Sequence, residues 1–232
     1  MVNILSAGAC KGLFQALFAK RFESGKLQGA FGAVGAMQEK LLAGEACELI
    51  ALTRPMLEKL AIEGWVIKET ITDIGLVGTG IAIPTKLRSV PDVSHAEVLR
   101  ANLLAATSIH FPDPQRATAG IHFQNVLSEL GILEEVRARC FYYPNGAFAM
   151  AELAKNKAAH GDLQIGCTQV SEITYTKGVS VVAELPEPFQ LRTTYAVALT
   201  PSGIESKRAL KMHEKLTSDK HSKLRQQGGF LL

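Results

Sequence analysis

The residues best suited to chemistry in the first part of this chain stand where apolar runs end in turns of small residues. Cys10 and Lys11 lie in "SAGACKG", after the apolar run 2–5, and Arg54 follows "IALT". A helix start and a neighbouring lysine both favour a thiolate, so Cys10 is a candidate nucleophile or acid/base group; the alternative is a small residue that fills a tight turn. Lys11 and Arg54 are candidates for binding a carboxylate. The alternatives are a solvated lysine and a surface ion pair between Arg54 and Glu58.

A second group of polar residues follows two later apolar runs. Arg116 and Thr118 lie in "DPQRATAG", a turn that we expect to present backbone N–H groups to a ligand, with Arg116 itself at the ligand or in solvent. Gln169, Ser171 and Glu172 lie in "CTQVSEI", after another strand. Glu172 is a candidate general base; the alternative is a structural cap, because glutamates are common in the first turn of a helix.

The motifs of metal and cofactor sites are absent from the sequence. The four cysteines lie far apart and form no C-x-x-C pair, and the six histidines form no H-E-x-x-H. The triplet "HAE" at 95–97 is explained by a capping box between Ser94 and Glu97 at the start of a helix. The "GTG" at 78–80 lies inside an apolar strand, where it indicates a bend or the close approach of another group. We therefore expect no metal ion and no cofactor.

The composition limits the partners of the chain. The 232 residues carry 25 Lys and Arg against 22 Asp and Glu, an excess too small and too evenly spread for a nucleic-acid-binding face, so a small anionic ligand is the expected partner. The chain has no run of 18 apolar residues and no secretory signal, which predicts no membrane segment. With four unpaired cysteines, it is expected to be cytoplasmic, or periplasmic if a signal has been removed.

The apolar runs predict two alternating series of strands and helices, which is the pattern of an α/β protein. The chain then ends in the strand "RTTYAVALT" and a basic helix over 204–227. Because no Pro- or Ser-rich linker separates the two series, we expect strands near Gly80 and Thr194 to join them. This gives a first lobe of residues 1–81 and 194–232 and a second lobe of residues 82–193.

Several of these segments resemble a known family. "ILSAGACKGLFQALFAKRFE", "LLAGEACELIALT", "FPDPQRATAGIHFQNVLSELGI", "YAVAL" and "LRQQGGF" resemble the molybdate-binding proteins of bacterial ABC importers, which are type 2 periplasmic binding proteins. "GTGIAIP", "DPQRATAGIHF" and "IGCTQVSEI" resemble a subgroup that includes an aconitate isomerase. The resemblance implies two α/β lobes, each a mostly parallel sheet flanked by helices, with a ligand cleft between the lobes. It implies an ABC permease as partner only if an export signal precedes the chain.

The resemblance also implies which residues contact the ligand at helix N-termini. In molybdate binders two serines and a tyrosine donate hydroxyl groups to the oxyanion. Here the serine positions fall at Cys10 and at Val34 or Gly35, and the tyrosine position falls near Gly166, so we do not expect specificity for molybdate. The expected ligand-binding residues are Ala9, Cys10, Lys11, Val34, Gly35, Thr53, Arg54, Arg116, Thr118, Ala119 and Gln169.

Two functions follow from this pattern. The first is an isomerase that shifts a proton and a double bond in a small unsaturated carboxylate, with Cys10 or Glu172 as proton carrier. The alternative is a non-catalytic binding protein for a small anion, either an importer receptor or a cytoplasmic sensor.

Overall fold

The computed structural model describes residues 1–87, 89–155 and 162–232. The strands are β1 (Val2–Ala7), β2 (Leu27–Gly32), β3 (Leu49–Thr53), β4 (Thr72–Pro84), β5 (Ser108–Pro112), β6 (Cys140–Tyr143), β7 (Gln164–Gln169), β8 (Val179–Glu184) and β9 (Arg192–Leu199). The helices are α1 (Gly8–Glu23), α2 (Val34–Leu42), α3 (Arg54–Ile62), α4 (Ala96–Ala105), α5 (Thr118–Glu129), α6 (Leu133–Val136), α7 (Gly146–Lys155), α8 (Val170–Thr174), α9 (Pro201–Ile204), α10 (Lys207–Thr217) and α11 (Ser222–Gln227). The chain divides into two compact units, which we call unit 1 (Met1–Val77 with Thr193–Leu232) and unit 2 (Gly78–Arg192).

Unit 1 is built on a sheet in which β1 lies between β2 and β3. Both of these neighbours run parallel to β1, and β9 pairs with β3 in the antiparallel direction. The apolar run in β3 is buried along most of its length, as expected for a strand covered on both faces. Helix α1 packs Leu13 and Phe14 into the core, where both side chains are fully buried.

Unit 2 has a mixed sheet. Strand β5 lies between β6 and β7, and both of them run parallel to it. Strand β4 pairs with β7 and β8 in the antiparallel direction. The main core of this unit surrounds Phe111 and Phe123, whose rings meet edge to face at 5.1 Å between centroids. The sheet therefore combines parallel and antiparallel pairs.

The two glycines of the "GTG" segment do not interrupt the strand, because β4 is continuous through them. A side chain at Gly78 would collide with the carboxylate of Glu184, and one at Gly80 would meet the carbonyl of Ala183 on β8. The close approach of β8, rather than a bend at the glycines, explains why small residues occupy these positions.

Two local predictions are wrong. Helix α4 begins at Ala96 and its cap residue is His95, so no capping box forms at Ser94; instead Ser94 N donates to Asp92 Oδ1, and Glu97 pairs with the His95 ring. The single helix predicted over 204–227 is broken into α10 and α11, with a 3₁₀ turn at Asp219–His221 between them, and Ile204 is the last residue of the short helix α9. The break follows from the serines in this segment, whose side chains compete for backbone groups and favour caps over helix interiors.

Candidate functional site

Three helix starts of unit 1 lie along one edge of its sheet. Strands β1, β2 and β3 are parallel, and α1, α2 and α3 follow them within two residues. The register pairs Ala7 with Gly32 and Ser6 with Ala51, so the three strands end at the same level. This edge therefore brings together Ala9, Cys10, Lys11, Val34, Gly35, Thr53 and Arg54, all of which were expected to bind the ligand.

The backbone N–H groups at these three helix starts have no side-chain cap. The cap residues are Ala7, Ala33 and Thr53; alanine has no acceptor, and Thr53 makes no capping bond to any described residue. The first N–H groups of a helix have no partner inside the helix and carry the positive end of its dipole. An uncapped set of this kind favours a negatively charged group.

The two chemical candidates on α1 occupy different environments. Cys10 is fully buried, whereas Lys11 is partly exposed and makes no ion pair within residues 1–87, 89–155 and 162–232. Val34 is buried at the start of α2 beside the partly exposed Gly35. The thiol therefore belongs to the packed interior of unit 1, and Lys11 is the cation available at this edge.

Arg54 is held by two carboxylates. Its Nε donates to Asp73 Oδ1 at 2.7 Å, and its Nη1 lies 3.2 Å from Glu58 Oε1. The hydrogen bonds that Arg54 donates to Asp73 and then to Glu58 raise its pKa above the ordinary value. The predicted alternative, an ion pair with Glu58, is therefore present, and Asp73 is an additional partner that sequence reasoning did not identify.

The "DPQRATAG" turn of unit 2 is fixed by its own backbone. Asp113 Oδ1 accepts from Gln115 N at 2.7 Å, and Ala117 N donates to Asp113 O at 3.1 Å. Gly120 lies so close to the carbonyl groups of Pro112 and Asp113 that a Cβ there would collide with both. Helix α5 then begins with no side-chain cap from a described residue.

Three residues predicted to contact the ligand lie at this turn. Arg116 is exposed, Thr118 is partly exposed, and Ala119 is buried. The turn thus leads into a helix start without a side-chain cap from a described residue, and contact of its N–H groups with a ligand stays a prediction.

A cluster of buried polar groups lies at the end of β7. Thr79 on β4 is directly opposite Gln169 in the antiparallel register, and Ser171 follows two residues later in α8. Thr79 Oγ1, Gln169 Oε1, Gln169 Nε2 and Ser171 Oγ are buried and have no hydrogen-bond partner among the described residues. Such a group costs about 1–3 kcal/mol when it is left unsatisfied, so this cluster is a candidate site for a polar ligand or for water. We call these three residues the polar cluster.

Sequence reasoning identified only part of the polar cluster. Gln169 was expected to bind the ligand, and Ser171 was noticed beside it, but Thr79 was missed. The available signal was a hydroxyl residue in the middle of the apolar strand "LVGTGIAI".

Glu172 connects the starts of two helices. Thr168 Oγ1 donates to Glu172 Oε2 at 2.6 Å, and the backbone N–H groups of Gly146, Ala147 and Gln169 also donate to this carboxylate. A Cβ at Gly146 would occupy the place of the carboxylate. Burial raises the pKa of Glu172, and these four hydrogen bonds partly offset that rise. The resulting pKa is about 6. The contacts are those of a structural cap for α7 and α8, the predicted alternative to a general base.

The described residues contain neither a helix that could span a membrane nor a cluster that could hold a metal ion. No helix in 1–87, 89–155 or 162–232 is both long and apolar enough to span a membrane. In the same ranges, no three histidine, cysteine, aspartate or glutamate side chains lie where they could share a metal ion.

Comparison with known proteins shows the fold and the family. An aconitate isomerase from Pseudomonas sp. is 24% identical over 165 residues, which are 71% of this chain and 59% of that protein. The chain thus matches less than two thirds of the length of this relative. The periplasmic molybdate-binding protein of Azotobacter vinelandii has a TM-score of 0.79 at 17% identity, with 100% of this chain and 99% of that one covered. The sulfate-binding protein of Mycobacterium tuberculosis has a TM-score of 0.70 at 14% identity, with 99% and 85% covered.

These structures share the periplasmic binding protein fold, so the predicted fold class is confirmed. The family model described as "Bacterial extracellular solute-binding protein" matches residues 2–231, nearly the whole chain. The chain belongs to the family of bacterial extracellular solute-binding proteins.

Proposed function

We propose that this chain is a binding protein for a small anion of the carboxylate class. The observation that carries the proposal is the polar cluster of unit 2, whose four unpartnered atoms need a polar molecule to satisfy them. The uncapped helix starts of unit 1, with Lys11 beside them, are a second part of the chain that favours negative charge. Membership of a solute-binding family supports the same function.

The composition of the helix starts favours a carboxylate over molybdate. Cys10, Val34 and Gly35 stand where the resemblance places the serines of molybdate binders, and none of them carries a hydroxyl group. Gly166, near the position of the tyrosine, has no side chain and faces the side chains of Met150 and Leu153 of α7. Helix starts without these hydroxyl donors lose that part of the specificity for a tetrahedral oxyanion. The relative named aconitate isomerase supports a polycarboxylate as the ligand.

The experiment is a thermal-shift screen of small anions, including cis-aconitate, trans-aconitate, sulfate and molybdate, followed by the variant Ser171→Ala. This variant removes an unpartnered buried hydroxyl group, so the free protein should become more stable by about 1–3 kcal/mol. The same change should weaken binding of the selected anion between about twofold and tenfold. A gain in stability together with a loss of affinity is the result expected for a group that contacts the ligand and has no partner inside the protein.

The matched control is Ser128→Ala. Ser128 lies on the surface of α5 in the same unit, and its hydroxyl group donates to Gln124 O. Its removal should leave the affinity unchanged and should not stabilise the free protein. If Ser171→Ala destabilises the free protein and leaves the affinity unchanged, its hydroxyl group has an internal role and the proposal loses its main support.

A second candidate function is isomerisation of an unsaturated carboxylate, which the aconitate isomerase relative favours. A proton would leave a carbon next to a carboxylate, and the helix-start N–H groups with Lys11 would stabilise the resulting enolate-like charge. The proposed proton carrier is either Cys10 of unit 1 or Glu172 of unit 2. The pKa of Glu172, about 6, suits that role, whereas its four hydrogen bonds favour the structural one.

Proton NMR in D₂O separates the two functions. An isomerase should interconvert cis- and trans-aconitate with deuterium uptake, and Cys10→Ser or Glu172→Gln should slow the reaction by a factor of 100 or more. The control variant is Cys140→Ser, at a half-buried thiol on the edge strand β6. Binding of aconitate without any deuterium uptake would exclude the isomerase and retain the binding protein.

A further inference from the structure

Unit 2 contains a cavity that the proposed function does not use. Its volume is about 590 Å³, within the range of about 300–1,000 Å³ that is usual for sites of small molecules. It lies where β5 and β7 begin, against β6 and the last turns of α7. Its lining includes Ser108, His110, Phe141, Tyr143, Glu152 and Gln164.

This cavity is separate from the polar cluster. Gln164 is the first residue of β7 and Gln169 is the last. Five steps of about 3.3 Å place the two residues about 16 Å apart along the strand. A molecule in the cavity would therefore meet the opposite end of the sheet from Gln169 and Ser171.

Three stacked rings form one side of the cavity. The His110 ring stacks on Phe141 at 5.2 Å between centroids and on Tyr143 at 5.7 Å. His110 is directly opposite Phe141 in the parallel register of β5 and β6. Phe141 is 47% exposed although His110 covers one face of its ring, so the other face is available to a flat molecule. Stacking on an exposed aromatic ring is a common way to hold a nucleobase.

The histidine in the stack is neutral and fully engaged. One ring nitrogen lies 2.9 Å from the Tyr143 hydroxyl group, and the other lies 3.0 Å from Ser108 Oγ. Burial lowers the pKa of His110 to about 4, so the ring carries no charge near neutral pH. This side of the cavity therefore offers an aromatic ring face without a positive charge.

The remaining polar groups define what the cavity can recognise. Gln164 is 4% exposed, and its Oε1 atom has no hydrogen-bond partner among the described residues. Glu152 Oε1 and Lys155 Nζ form an ion pair at 2.8 Å, so the charged residues that line the cavity cancel. An unpaired acceptor requires a donor from the ligand, and described lining residues whose charges cancel favour a neutral molecule over an ion.

We propose that this cavity binds a neutral, planar nitrogen heterocycle of the nucleobase type. Its ring stacks on the exposed face of Phe141, and one of its N–H groups donates to Gln164 Oε1. A second N–H group can donate to Glu152, because carboxylates accept from the amino groups of bases. A cationic amine is disfavoured by Lys155, and an anion is disfavoured by the two acceptors.

The test uses adenine as the probe and the full chain labelled with ¹⁵N. Titration with adenine should shift the amide signals of Ser108, Phe141 and Gln164 in a saturable way. Caffeine, a planar relative with no N–H donor, should bind at least tenfold more weakly, because it cannot satisfy Gln164. Benzylamine, a cation with a similar ring, should also bind more weakly than adenine.

Two matched variants test the stacking. Phe141→Leu should weaken adenine binding by about fivefold or more. Tyr142 is the neighbouring residue, is equally exposed at 47%, and points to the other face of β6, where it packs on Phe111. Tyr142→Leu should therefore change the affinity by less than twofold. Because both residues are half exposed, circular dichroism should show both variants folded.

Several results would overturn the proposal. The first is that adenine causes no shifts up to its solubility limit. The second is that caffeine or benzylamine binds as tightly as adenine. The third is that Phe141→Leu and the unaltered chain bind adenine with equal affinity. None of them bears on the anion-binding function, which rests on other residues.

Discussion

Glu172 should make the stability of unit 2 depend on pH in a direction that the structure fixes. Its pKa rises from the ordinary 4.5 to about 6 because burial outweighs the hydrogen bonds from Thr168, Gly146, Ala147 and Gln169. The unfolded chain therefore ionises this group more easily than the folded chain does. The stability that the protonated group contributes is fully present below pH 4.5 and is lost as the pH rises through 6. At about 1.4 kcal/mol for each pKa unit, the loss is about 2 kcal/mol.

The assay compares the original chain with Glu172→Gln, which cannot titrate. Urea unfolding is followed at pH 4.5, 5.5, 6.5 and 7.5 through the NMR signals of α7 and α8, so that only unit 2 is observed. The free energy of unfolding of the original chain, minus that of the variant, should fall by about 2 kcal/mol between the lowest and the highest pH. Other titrating groups occur in both proteins and cancel in this difference.

The control is Glu63→Gln, which makes the same chemical change on the surface of unit 1. For this variant, the difference from the original chain in the free energy of unfolding of unit 2 should not change with pH. A difference for Glu172→Gln that rises with pH would mean that the four hydrogen bonds outweigh burial. The ionised form of Glu172 would then be the one that stabilises unit 2, contrary to our expectation.

Three further predictions follow from single contacts. Burial lowers the pKa of His110 from 6.5 to about 4. The neutral ring should therefore contribute fully to the stability of the fold above pH 6.5, and about 3 kcal/mol should be lost as the pH falls through 4. Urea unfolding of His110→Gln should lack this loss. Gly120→Ala would press a methyl group into two backbone carbonyls and should cost about 1–3 kcal/mol, measured by thermal unfolding. Ser206 caps α10 by accepting from Ala209 N at 3.3 Å, so Ser206→Ala should cost about 1 kcal/mol in urea unfolding.

Much of the fold could be predicted because apolar runs of strand length alternate with helical segments. The strands that begin at Val2, Leu49 and Ser108 lie within a residue or two of the runs that predict them. Cap positions could not be predicted, because Ser94 and His95 both stand before α4 and the choice depends on Asp92, which binds Ser94 N. The break at Ser218 was missed for a similar reason, since the basic amphipathic pattern continues across it.

The part of the candidate site that could be predicted consists of the backbone N–H groups at helix starts. Helix starts after strands are visible in the sequence, and Cys10 and Thr118 are found at two of them. The polar cluster depends on the pairing of β4 with β7, which places Thr79 opposite Gln169 across 90 residues of chain. Such a long-range register is not encoded in any local pattern. For the same reason the stacking of His110 between Phe141 and Tyr143 could not be predicted.

We propose that this chain binds a carboxylate-type anion and not molybdate. Calorimetric titration of cis-aconitate and of molybdate into the same preparation of the full chain distinguishes the two ligands. We expect saturable heat with cis-aconitate, less affinity in Lys11→Gln, and no competition from molybdate. Tight binding of molybdate together with no heat from cis-aconitate would contradict the claim.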